Sequence, residues 1–163
     1  MLLHRNADMF NKEMIHRDVS PFYVGINQQK IWAIEMFCDH GADINTKSSS
    51  GLTPLMYAAT KGYDHICMYL SLRTDNVDLE DETTGKNVFS IYLEKKDLHH
   101  MKQLLMRGSN INYQNKMTGL TPLHYAIENN YNSKMVKFML TYGANPHHED
   151  PDGNDCCDKA VKN

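Results

Sequence analysis

No run of 18 apolar residues occurs anywhere in this sequence, so no segment of it is built to span a membrane. The opening MLLHRNADMFNK lacks the long apolar stretch of a signal peptide. Charge of one sign is also missing: 17 basic residues stand against 20 acidic ones, a net charge of −3. That balance gives no electrostatic basis for a nucleic-acid partner. Only four cysteines are present, and Cys156 and Cys157 are adjacent. They do not form a dense disulfide framework, and a reducing, cytoplasmic or nuclear location is the expectation.

Catalytic constellations are lacking too. His16-Arg17-Asp18 echoes a kinase catalytic loop, but no glycine-rich loop or DFG accompanies it. HHEDPDGNDCCD at 147–158 crowds possible metal ligands together. Its glycine and glutamate spacing fails as a calcium loop, and its adjacent cysteines fail the usual zinc spacing. A solvated turn leading into a helix accounts for it, and no metal or cofactor is expected.

What is present is repetition. LTPLMYAATKG (52–62) returns as LTPLHYAIENN (120–130). Thr53 and Thr121 are 68 residues apart, twice 34, and a 34-residue step is typical of helical repeats. The midpoint, Asn87, opens an altered copy, NVFSIYLEKKD. The step before Thr53 reaches Ser20, which gives repeats at about 20–52, 53–86, 87–120 and 121–154. Residues 1–19 and 155–163 read as partial units of one domain covering 1–163, either an array cut from a longer protein or a small protein with worn caps, the abrupt ends fitting the cut array better.

Each unit has the same local logic. Ser20, Thr53, Asn87 and Thr121 are N-cap residues, and Pro21, Pro54 and Pro122 follow at the first helical position. A two-turn helix then breaks near Gly62 or Asn130, with Lys96 at that place in the third unit. A second helix follows, its apolar residues at helical spacing: Ile66, Tyr69 and Leu70, or Met101, Leu104 and Leu105. Gly41, Gly108 and Gly143 stop it, and a polar turn leads on. Helices this short are marginal alone, so stacking of neighbouring pairs must bury their apolar faces.

TPLMYAATKG, TPLHYAIENN and the closing GADIN at 41–45 resemble the ankyrin-repeat family across essentially the whole chain. The resemblance implies an all-α solenoid of stacked helix-turn-helix units with projecting hairpin-like loops. It implies a non-catalytic, monomeric module whose loops and inner helices form a concave surface for a protein partner. The alternative is a regulatory or substrate-recruiting domain of a larger enzyme or channel. The family's variable positions map to Leu52, Thr60 and Lys61, then Lys86, Glu94 and Lys95, then Met117, Leu120, Glu128 and Asn129, with Tyr57 and Tyr125 beside them. Leu52 and Leu120 serve either as hydrophobic staples or as partner contacts. Tyr57 and Tyr125 either anchor a partner or cover the junction between units. The resemblance places His124 in a tie to the neighbouring turn. It also permits hydroxylation of Asn45 and Asn112 by a partner oxygenase. The altered third repeat, with Tyr92 and Leu93 in place of small residues, is either worn or shaped for a partner.

Overall fold

The computed structural model describes residues 21–162. The expectations for residues 1–19, for the Ser20 cap and for His16–Asp18 lie outside them. Among the described residues there are nine helices and no strand. They are α1 (Pro21–Asn27), α2 (Ile31–Asp39), α3 (Pro54–Lys61), α4 (Asp64–Arg73), α5 (Val88–Glu94), α6 (Leu98–Met106), α7 (Pro122–Glu128), α8 (Ser133–Thr141) and α9 (Cys156–Lys162). The chain divides into two compact units, 1–81 and 82–163.

In the first unit α1 packs on α2, α3 on α4, and α1 on α3. Ile26, Ile34, Met56, Ile66 and Leu70 form its buried centre. In the second unit α5 packs on α6 and on α7, and α7 packs on α8 and α9. Phe89, Tyr92, Leu93, Met101, Leu123 and Met139 are buried there. In both units the first helix of each pair is the more buried one, because its apolar and small residues meet neighbours on several sides.

The caps follow from local chemistry. Thr53 Oγ1 accepts from the Met56 N–H, Asn87 Oδ1 from Ser90 N–H, and Thr121 Oγ1 from His124 N–H. In the last two the third helical residue answers back to the cap backbone, completing a capping box. Every first helix is broken by a residue with positive φ: Gln29 at 53°, Gly62 at 75°, Lys96 at 56° and Asn130 at 52°. Gly41, Gly108 and Gly143 take φ of 84°, 90° and 91° after α2, α6 and α8. α4 has no such glycine and ends on extended Thr74.

The third repeat keeps its architecture by turning its bulk inward. Tyr92 is 2% exposed and stacks on His100, with ring centroids 4.6 Å apart and planes 7° from parallel. Asp97 caps α6 through the N–H groups of His99 and His100, and its other oxygen lies 2.7 Å from His100 Nδ1. The large residues at 92 and 93 are therefore core rather than surface.

Candidate partner-binding site

The second unit holds an open cleft of about 220 Å³ between α5 and α7, walled by the turns that lead into them. Asn87 and Thr121 start the two helices, and Asn115 fixes the turn between them. Its Nδ2 donates to the Thr84 carbonyl at 3.0 Å, while its Oδ1 accepts from Met117 and Thr118 N–H. Leu93, Leu120, Pro122 and Tyr125 supply an apolar lining. On one wall Lys86 Nζ pairs with Glu94 Oε1 at 2.6 Å. The Tyr125 hydroxyl donates to the same oxygen at 3.4 Å. Burial, and then the negative charge of Glu94, push the Tyr125 pKa above its ordinary value, so the phenol stays a donor. On the other wall Glu128 is paired with Lys159.

Of the residues picked from the sequence, Lys86, Glu94, Leu120, Tyr125, Glu128 and Asn129 come together at this cleft. Lys95 is exposed at the end of α5, and Met117, 62% exposed, projects from the turn; neither lines the cleft. In the first unit Tyr57 meets the edge of Tyr23 at 5.2 Å, and its hydroxyl donates to Asn27 Oδ1 at 2.8 Å. Lys61 Nζ lies 5.4 Å from the Tyr57 ring centre. Thr60 spends its hydroxyl on the Met56 carbonyl, and the Leu52 carbonyl accepts from the Tyr23 hydroxyl at 2.7 Å. Tyr57 thus covers the junction of α1 and α3 while remaining half-exposed.

Comparison with known proteins agrees with this architecture. The family "Ankyrin repeats (3 copies)" matches residues 89–163, and the family "Ankyrin repeat" matches 50–82. The chain belongs to the ankyrin-repeat family. An ankyrin repeat protein of Acanthamoeba polyphaga mimivirus is 31% identical over 98% of this chain and 42% of its own length. An ankyrin repeat protein of fowlpox virus is 33% identical over 64% of this chain and 14% of its own length. The mitochondrial disaggregase of Bos taurus is 30% identical over 69% of this chain and 17% of its own length. The chain spans less than half the length of these relatives.

Two details of this ankyrin domain go beyond the sequence reading. His124 was expected to tie its unit to the neighbouring turn by a hydrogen bond. Its Nδ1 also accepts from Thr121 N–H and lies 2.8 Å from Thr121 Oγ1, inside its own cap. That places the ring proton on Nε2. Nε2 is buried on the side of the next turn. Burial lowers the imidazole pKa, and the Asn154 backbone opposes this more weakly. The Asn154 backbone of the next turn thus reaches the ring, as the expected tie between units requires.

The tail at 147–158 is not simply a solvated turn. Asp150 is buried: Oδ1 accepts from Asp152 and Asn154 N–H, each at 2.9 Å, and Oδ2 lies 2.7 Å from Lys159 Nζ. Among the described residues no group of three His, Cys, Asp or Glu side chains is arranged to hold a metal. Burial raises the Cys156 thiol to about 11, which keeps it an inert apolar filler. The pairing of Asp150 with Lys159 escaped the sequence reading because it spans a turn and a helix and follows no periodic spacing.

Proposed function

We propose that this domain is a non-catalytic protein-interaction module that docks its partner on the turns and first helices. Ankyrin repeats are in general protein-protein interaction modules, and the carrying observation here is the α5–α7 cleft. It combines an apolar floor, a half-exposed aromatic at Tyr125 and ordered polar walls, the mixture from which interface hot spots are built. Five variable-position residues named from the sequence, Lys86, Glu94, Leu120, Glu128 and Asn129, converge on it together with the neighbouring Tyr125. The test is a photo-crosslinking residue placed at Asn129, with one at His99 on α6 as control. A specific adduct in host-cell extract from position 129, lost on Tyr125→Ala with the helical circular dichroism retained, supports the reading. Equal crosslinking from both positions would overturn it.

A second reading is a regulatory or substrate-recruiting role inside a larger enzyme. It is supported by the matched share of two relatives, 17% of the bovine mitochondrial disaggregase and 12% of a probable serine/threonine-protein kinase of Dictyostelium discoideum. The size of the native polypeptide, read by immunoblot from its host, separates the readings. A band far above 18.8 kDa favours the second.

A further inference from the structure

The carboxylates around the cleft outnumber the lysines that serve them. Glu94 has Lys86 to itself. Lys159 is divided between Asp150 and Glu128. The Asp150 side chain is 2% exposed, so leaving it without a cation would strand a buried charge. Asp150 therefore has first claim on the ammonium. Lys159 keeps its charge there: burial opposes it, but hydrogen bonds to Asp150 and Glu128 prevail. Glu128 is the outer member of the set, with 35% of its side chain exposed, and it stands in the cleft wall. It receives Lys159 through Oε1, so two carboxylates share that one ammonium. Beside it lies the apolar floor of Leu93, Leu120, Pro122 and Tyr125.

We propose that the cleft takes a segment of a protein partner that seats an apolar side chain against Leu120 and Tyr125 and sets a lysine or arginine against Glu128. This rests on the reading of the cleft as a docking site and names the chemistry of what docks there. The apolar group gains by leaving water. The cation supplies the charge that Lys159 can only share, and it makes the choice among apolar segments. Lys159 is a positioning residue here: it orients the Glu128 carboxylate from behind and does not itself meet the partner.

The probes are blocked dipeptides, acetyl-Leu-Arg-amide, acetyl-Leu-Gln-amide and acetyl-Ser-Arg-amide. Each is titrated into the ¹⁵N-labelled chain at low salt, with the amide shifts of Thr118, Leu120 and Tyr125 as readout. Leu-Arg should bind about threefold or more tighter than Leu-Gln, in keeping with a half-exposed ion pair. Ser-Arg should be the weakest. Glu128→Gln, a surface change that leaves Lys159 on Asp150, should erase the advantage of Leu-Arg. Lys159→Met, where its spectrum shows a folded chain, should enlarge it. Equal binding of Leu-Arg and Leu-Gln, or an advantage that survives Glu128→Gln, overturns the charge assignment and leaves the cleft as a docking site. No shift at these amides with any millimolar probe overturns the cleft itself.

Discussion

A Cβ on Gly119 would meet Pro151 Cγ at 2.3 Å, so the tip of one turn is closed by the tip of the next. Gly119 also has a φ of 69°. Gly153 has nearly the same backbone, φ 77°, but nothing within 4 Å of a Cβ. The two glycines separate backbone strain from contact. Gly153→Ala should cost about 1 kcal/mol through backbone alone. Gly119→Ala should cost about 3 kcal/mol, because overpacking adds to the same strain. Chemical denaturation of both variants checks this; equal losses would refute the role of Pro151.

Gln29 and Lys96 hold positive φ without being glycine. Gln29→Gly should stabilise the chain by about 0.5–1 kcal/mol by relieving that strain. Lys96→Gly should gain less, because Lys96 Nζ sits 4.5 Å from the Tyr131 ring centre and that attraction would be lost. Thermal melts that rank Lys96→Gly above Gln29→Gly would contradict the cation–π contribution.

His124 makes stability depend on pH in a definite direction. Its folded pKa lies below the usual 6.5, chiefly through burial. The folded chain then binds fewer protons than the unfolded one, and stability rises with pH. The contribution is complete above about pH 7 and is lost as the pH falls through the folded pKa. His124→Ser keeps a capping box of the kind Ser90 makes with Asn87, and removes the titration. Between about pH 7.5 and pH 5 its midpoint of melting should fall less steeply than that of the parent. Parallel curves would show that His124 is not the titrating group. Asp97 and Asp155 act in a lower window. Burial opposes the Asp97 charge but the hydrogen bonds from His100 prevail, and Asp155 is held down first by the Asp158 backbone N–H. Their contributions are present above the usual carboxylate pKa of 3.8 and disappear as the pH falls further.

Thr53 and Thr121 open the two copies of one phrase, yet they do unequal work. Thr53 Oγ1 accepts one N–H, from Met56. Thr121 takes part in a reciprocal box with His124. Thr53→Ala should cost about 1 kcal/mol, and Thr121→Ala about 0.5–1 kcal/mol more. Chemical denaturation of both variants decides it, with equal midpoints the adverse result.

The parts of this fold that could be read from sequence are those decided within a few residues. A threonine before proline, or a glycine after an apolar helix, fixes its backbone by its own chemistry, and Thr53, Gly62, Gly108 and Gly143 all behave accordingly. Gln29 gave no signal, since glutamine has no special ease at positive φ; only its register with Gly62 marks it. The Asp150–Lys159–Glu128 cluster was out of reach because three separate segments must fold before the side chains meet. Tyr125 and Glu94 were chosen by family position, and their contact 31 residues apart needed coordinates.

Within the second unit Gly85 is closed by Asn115 as Gly119 is by Pro151, and in the first Gly51 lies against Asp81. Each tip is thus shingled under its successor, and a covered tip cannot lift until the covering one has gone. Among the described residues, nothing lies within 4 Å of a Cβ on Gly153. Under mechanical load the Gly85 and Gly119 tips would therefore yield only after the turns that carry Asn115 and Pro151.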